Sequence, residues 1–196
     1  MDFSEININN PLRNALDDLG ITKATPIQAE AFPILMSGAD LVAVAQTGTG
    51  KTFAYLLPIL RHLKYSDQKH PRVLILVPTR ELAVQVQTEI LKLSRYMSLR
   101  VVAVFGGVNI NTQKKDVASG MDIIVATPGR LIDLSMSRAI KLKKIKQLVI
   151  DEVDEMLNMG FRKQLQDVFM MLPERRQNML FSATMTKEIE MLVDEV

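Results

Sequence analysis

The stretch Ala45-Gln46-Thr47-Gly48-Thr49-Gly50-Lys51-Thr52 constrains this chain more than any other. Four apolar residues, Leu41-Val42-Ala43-Val44, precede it, and residues 53–63 follow with apolar positions at helical spacing. Those patterns predict a short buried strand, a glycine-containing turn and a helix. The first N–H groups of a helix lack intrahelical partners and the aligned peptide dipoles add partial positive charge, so such a turn receives a phosphate. Gly48 and Gly50 permit the positive φ and close backbone approach that wrapping an anion needs. Lys51 is placed to reach β- and γ-phosphates, and the Thr52 hydroxyl to ligate Mg²⁺. Ala45 stands where this pattern usually opens with Gly, a change that a position of negative φ tolerates.

A length of 196 residues suits one domain that buries about 70% of its unfolded surface. At 47% hydrophobic and 23% charged residues the chain is ordinary for a globular protein. No apolar run approaches the roughly 20 residues a membrane-spanning helix needs, and the start lacks the basic and apolar regions of a signal peptide. Zero Cys excludes disulfides and Cys-based metal sites and fits a cytoplasmic protein; a monomer with no membrane contact is expected. A net charge of +2 is too small to hold nucleic acid by bulk attraction, and 5% aromatics with no Trp provide no base-stacking platform. Any nucleic-acid contact is therefore expected to be local and mostly through backbone amides. Twelve Met is a high count, but Met usually fills core gaps, and no functional meaning attaches to it.

Along the chain, Asn10-Pro11 reads as a helix start with Asn as cap, the helix running towards Leu19 and stopping at Gly20. Thr25-Pro26 opens a second helix that runs through about Met36 and ends at Gly38. From Asp40 the pattern becomes alternating strand and helix. Strands are expected at 41–44, 73–77, 101–105, 123–126, 148–150 and 179–182, each continuously apolar, as in a parallel sheet covered on both faces. Helical patterns at 81–96, 131–137 and 162–171 fall between them. The expected fold is thus a doubly wound α/β domain with ligands at the C-terminal strand ends. Lys141, Lys143, Lys144 and Lys146, interleaved with Leu142 and Ile145, read as a solvated connection in preference to a nucleic-acid patch.

Asp151-Glu152-Val153-Asp154 directly follows an apolar strand. A carboxylate at a strand tip downstream of a phosphate loop is where such an enzyme holds Mg²⁺. Asp151 is the candidate for the metal, and Glu152 for orienting and deprotonating an attacking water. Other strand ends carry Pro78-Thr79-Arg80-Glu81-Leu82-Ala83, Gly106-Gly107, Thr127-Pro128-Gly129-Arg130 and Ser182-Ala183-Thr184. Singly each is a capping or turn element; together they crowd the edge that carries the phosphate loop.

These residues, in this order, resemble the DEAD-box ATP-dependent RNA helicases over nearly the whole chain. Gly20-Ile21-Thr22-Lys23-Ala24-Thr25-Pro26-Ile27-Gln28, with Phe3 upstream, resembles the family's adenine-recognition motif. A Gln amide pairs with both N6–H and N7 of adenine, and the resemblance implies that Phe3 packs on the base and that Lys23 and Gln28 belong to the nucleotide site. It further implies that Ala45, Gln46, Thr47, Gly48, Thr49, Gly50, Lys51 and Thr52 wrap the phosphates of ATP. Pro78, Thr79, Arg80, Gly106, Gly107, Thr127, Pro128, Gly129 and Arg130 would contact RNA through its backbone, without sequence preference. Asp154, Ser182 and Thr184 would couple nucleotide state to RNA. Val153 departs from the family's usual Ala, leaving both carboxylates in place.

The implied organisation is a RecA-like N-terminal domain, with residues 1–38 recognising adenine and 39–196 forming the α/β core. The family's second RecA-like domain, which supplies arginine fingers and half the RNA site, is absent from this sequence. The implied activity is RNA duplex unwinding driven by ATP and Mg²⁺. A nucleotide-gated RNA clamp is the alternative, and a DNA translocase is disfavoured by Gln28 and the Thr127–Arg130 element.

Overall fold

The computed structural model describes residues 2–196. Among the described residues, six strands of four or six residues are joined with nine α-helices: α1 (Asn10–Asp18), α2 (Pro26–Met36), β1 (Leu41–Val44), α3 (Lys51–His62), β2 (Val73–Leu76), α4 (Arg80–Leu93), β3 (Val101–Val104), α5 (Ile110–Ala118), β4 (Ile123–Ala126), α6 (Pro128–Met136), β5 (Gln147–Ile150), α7 (Val153–Asn158), α8 (Arg162–Met171), β6 (Gln177–Ser182) and α9 (Lys187–Glu195). All strand pairs are parallel, in the order β1-β6-β5-β2-β4-β3. This is the expected RecA-like doubly wound α/β domain.

Strand side chains alternate between faces with a period of two, and the core divides accordingly. Val73, Ile75, Val77, Ile123, Val125, Val149, Met179 and Phe181 face one apolar cluster, into which α1, α2, α3 and α4 pack. Leu74, Leu76, Ile124, Ala126, Leu148, Ile150 and Leu180 face the other, covered by α5 to α9. Burying each such aliphatic side chain contributes about 1.5–3 kcal/mol, enough to hold strands this short in register.

Three expectations need correction. The cap of α1 is Asn9: its extended backbone frees Oδ1 to accept the Leu12 N–H at 3.2 Å, while Asn10 is already helical and Pro11 sits at the second position. The sheet is not covered on both faces throughout, because β1 is an edge strand with Val42 and Val44 exposed. Nor do the Met all fill the core. Met121, Met156 and Met179 do, but Met136, Met170 and Met191 are exposed. Each lies two residues past a buried helical position (Leu134, Val168 and Ile189), about 200° round the helix from the core stripe.

The lysine run is a solvated connection as expected: Leu142 and Ile145 are buried anchors, and the four Lys are exposed. Among the described residues no helix is long and apolar enough to cross a membrane.

Candidate active site

The strand order sorts the functional elements. The tips of β1, β6 and β5 carry the phosphate loop, the Ser182–Thr184 element and Asp151; the tips of β2, β4 and β3 carry Pro78–Arg80, Thr127–Arg130 and Gly106-Gly107. One half of the edge thus holds the nucleotide candidates and the other half the nucleic-acid candidates. Backbone bonds beyond the strands stitch the tips together: Ala45 N–H to the Ser182 carbonyl at 2.9 Å, Asp151 N–H to Leu76 at 3.0 Å, and Thr127 N–H to Val104 at 3.1 Å.

In the phosphate loop Gly48 and Gly50 adopt φ of 81° and 90°, and Gly50 caps α3 from the left-handed region. A Cβ on Gly50 would lie 2.5 Å from Gln28 Nε2, so the position requires glycine both for conformation and for space. The Gln46, Thr47 and Gly48 side of the loop is exposed, and Thr49 Oγ1 donates to the Gln46 carbonyl at 2.7 Å. Lys51 is only 7% exposed, yet its Nζ has no hydrogen-bond partner. An unpaired buried ammonium is costly, and a phosphate oxygen is the partner such a geometry fits. Thr52 follows it, half-buried, in the first turn of α3.

Asp151 is buried at the tip of β5. Its Oδ2 accepts the Tyr55 hydroxyl at 2.8 Å and its Oδ1 the Glu152 N–H at 3.0 Å. Burial pushes its pKa up; the Tyr55 hydrogen bond and the Lys51 charge offset only part of this. Glu152 sits at φ 53° as the cap of α7, and burial followed by the Asp151 charge raises its pKa too. Burial, and then Asp151, lifts the Tyr55 phenol well above its ordinary value. Val153 is fully buried in the second core cluster, where its extra methyl groups have a packed place. Among the described residues no group of three or more His, Cys, Asp or Glu converges as a metal site. A buried carboxylate at the β5 tip and the Thr52 hydroxyl in the first turn of α3 suit Mg²⁺, which keeps waters and takes phosphate oxygens as its remaining ligands.

Asp154 Oδ2 accepts the Ala183 N–H at 3.2 Å and the Thr184 hydroxyl at 3.3 Å. The Thr184 N–H in turn points to Ser182 Oγ at 3.4 Å. The three residues singled out for coupling are therefore in one hydrogen-bonded group, linking the first turn of α7 to the end of β6.

Other elements are placed less simply. Phe3 is buried in the first core cluster, its N–H bonded to the Thr22 carbonyl at 3.0 Å, so it anchors the N-terminal segment and offers a base little free ring surface. Lys23 is exposed beside it, bridged through the backbone to Asp2. Gln28 is buried, its amide already shared between the Thr25 N–H and the Gly50 carbonyl. A cleft of about 480 Å³ lies between residues 5–7 and the side of α2 that carries Ala29, Phe32, Pro33 and Met36. None of residues 45–52 lines it, so that cleft is not the phosphate site. A smaller one of about 260 Å³, lined by Pro26, Ile27, Glu30, Val44, Ala45 and Thr49, adjoins the loop.

A DEAD/DEAH box helicase family model matches residues 25–192. The chain belongs to that family. Over 97% of its length it is 45% identical to DEAD-box ATP-dependent RNA helicase 28 of Oryza sativa subsp. japonica, covering 24% of that protein. It is 43% identical to DEAD-box ATP-dependent RNA helicase CshA of Streptococcus pneumoniae, with 97% of this chain and 36% of the relative aligned. To ATP-dependent RNA helicase DeaD of Escherichia coli K12 it is 44% identical, over 95% of this chain and 30% of the relative. The chain thus spans a quarter to about a third of the length of these curated relatives.

The half of the edge that carries the nucleic-acid candidates is partly braced by contacts within the chain. Thr79 Oγ1 caps α4 by accepting the Leu82 N–H at 3.2 Å, and buried Pro78 precedes it. The Arg80 guanidinium lies 5.1 Å over the Phe105 ring, joining the β2 tip to the end of β3. Arg130 donates to Gln113 Oε1 at 2.7 Å and to the Val108 carbonyl at 2.9 Å, so it braces the loop that carries Gly106 and Gly107. Thr127 makes no side-chain cap bond, buried Pro128 occupies the first helical position, and a Cβ on Gly129 would meet nothing within 4 Å. The first turn of α6 is therefore open to an anion. Sequence reasoning did not single out Tyr55 or Gln113. Tyr55 carried one usable signal, its place one turn after Lys51; Gln113 carried none.

Proposed function

We propose that this chain is the ATP-binding domain of an ATP-dependent RNA helicase, and that a second domain of similar fold elsewhere in the protein closes over the nucleotide. The observation that carries the reading is Lys51: an ammonium buried in the first turn of a helix, behind two left-handed glycines, with no partner of its own. ATP supplies that partner through its β- and γ-phosphate oxygens. Thr52 and Asp151 are the residues that would hold Mg²⁺, which when bound neutralises charge on those oxygens. Glu152, raised in pKa by burial and by Asp151, orients the attacking water and takes its proton.

Asp154, Ser182 and Thr184 pass the state of the phosphate side along the sheet edge. RNA lies across the other half of that edge, held through its phosphates by the first turns of α4 and α6 and by the Gly106-Gly107 loop. Such contacts carry no sequence information. Gln28 and Lys23 make up the adenine side, and Phe3, buried in the core, anchors the N-terminal segment that carries it. The reading includes a cytoplasmic location, which a chain without Cys fits, and a monomer.

The facing domain would contribute an arginine finger, an effect of about 10³–10⁵ in rate. The test is ATP turnover and RNA duplex separation by the full-length protein beside residues 1–196 alone. The full-length protein should hydrolyse ATP in response to RNA and separate short duplexes; residues 1–196 should bind nucleotide with negligible RNA-stimulated turnover. Comparable RNA-stimulated rates from the two would overturn the two-domain mechanism.

A further inference from the structure

We propose that the Tyr55 hydroxyl is a positioning group for Asp151, fixing the carboxylate in the orientation that receives the metal of the nucleotide complex. The inference rests on the nucleotide-site reading above and goes beyond it to a residue outside the glycine loop and the acidic tetrapeptide.

Tyr55 is fully buried on α3, four residues after Lys51. Residues four apart share a helix face, so the helix that presents Lys51 to the phosphates presents Tyr55 one turn deeper. Its ring packs on Phe181 with centroids 5.2 Å apart at 58°, immediately before Ser182 at the tip of β6. Its hydroxyl ends 2.8 Å from Asp151 Oδ2 at the tip of β5. One side chain thus ties the phosphate-loop helix to two of the three strand tips of the nucleotide half.

A phenylalanine would fill the same space against Phe181. A buried hydroxyl is unfavourable unless it is hydrogen-bonded, and here the carboxylate accepts its one proton. Asp151 Oδ1 is held separately by the Glu152 N–H at 3.0 Å. With one donor on each oxygen the carboxylate plane is fixed, and the remaining lone pairs keep one direction. Without the phenol, Oδ2 has no donor and the group turns about its Cβ–Cγ bond. Hydrogen-bond partners of metal-holding side chains typically govern metal affinity by 10–100-fold.

The experiment compares the affinity of a fluorescent ADP with and without Mg²⁺, with EDTA in the metal-free arm, for the parent chain, Tyr55→Phe and Asp151→Asn. The parent should bind more tightly with Mg²⁺, and Asp151→Asn should lose most of that gain. Tyr55→Phe should match the parent in EDTA and keep its melting temperature within a few degrees, yet lose about tenfold of the Mg²⁺-dependent gain. If Tyr55→Phe retains the full gain while Asp151→Asn loses it, the positioning role is wrong and the site reading stands. If Tyr55→Phe loses affinity equally with and without Mg²⁺, the residue is only structural, and the inference is again overturned. A parent without any Mg²⁺-dependent gain, or an Asp151→Asn variant that keeps it, would overturn the site reading and the inference with it.

Discussion

Gln28 Nε2 donates to the Gly50 carbonyl at 3.1 Å, tying the first turn of α2 to the phosphate loop. The same amide accepts the Thr25 N–H at 3.0 Å, which leaves one N–H and one lone pair for a base. On the proposed function Gln28 would therefore have two separable jobs, bracing the loop for any nucleotide and reading adenine with what remains. For Gln28→Ala, ATP affinity is expected to fall about tenfold, the worth of a hydrogen bond or two, and GTP affinity to fall less, narrowing the preference. Parallel titrations of ATP and GTP measure both effects. An equal loss for the two nucleotides would leave Gln28 with the brace alone.

Lys51 gives a prediction of opposite sign for stability and for binding. Its Nζ is buried without a hydrogen-bond partner in the free chain, a cost that the Asp151 and Glu152 charges offset in part and a bound phosphate would offset further. Lys51→Met keeps the apolar stem and removes the charge. The variant should melt at the same temperature as the parent or above it, with stability higher by up to about 1 kcal/mol. The rise in melting temperature that ATP confers on the parent, set by the ratio of its concentration to Kd, should vanish. Thermal denaturation with and without ATP checks both halves.

The parts of the fold most legible in the sequence are those where one physical pattern dominates. The second strand-helix unit of the sheet and α8 have clean apolar periodicity, and α8 spans the expected 162–171. The phosphate loop is legible because glycine, lysine and threonine at fixed spacing serve one geometry. The cap of α1 is less so: Asn9 and Asn10 are chemically equivalent, and only the backbone turn decides between them. No apolar stripe marks α5, whose buried side chains are Gln113 and Val117. Tyr55 reads as one more core aromatic, because its function lies in a contact 96 residues away in sequence. Asp122 is similar: its burial between Arg72 and Arg100 appears only when the start of β4 meets those of β2 and β3.

Arg130 and Gln113 predict how the proposed nucleic-acid half is held. The Arg130 guanidinium spends two donors on Gln113 and Val108, so its first effect is on the shape of the loop bearing Gly106 and Gly107. Gln113→Ala should therefore weaken RNA binding by the full-length protein several-fold, about 1 kcal/mol, though Gln113 itself is buried. The slope of affinity against salt should stay unchanged, because no phosphate contact is removed. Arg130→Ala should weaken binding further and, if the guanidinium also meets a phosphate, reduce the slope. Salt-dependent RNA titrations separate a brace from a direct contact.

Glu152 joins strain and charge at one position. At φ 53° a residue with a Cβ pays about 1–2 kcal/mol that glycine does not. Its carboxyl, raised in pKa by burial and by Asp151, binds protons more tightly in the folded chain than in the unfolded one. Stability from this group is therefore complete below the unfolded carboxylate pKa and is lost as pH rises through the higher folded value. Glu152→Gln removes the titration and keeps the backbone strain, so its stability relative to the parent should grow as pH rises out of the acid range. Glu152→Gly removes both, and should exceed Glu152→Gln by about 1 kcal/mol at every pH. In the full-length protein both variants should bind ATP and lose its hydrolysis, and the parent's turnover should fall as acid protonates Glu152. Urea melts across the acid-to-neutral range, with ATPase assays alongside, measure each part. Full hydrolysis by Glu152→Gln would reduce Glu152 to an acidic cap of α7.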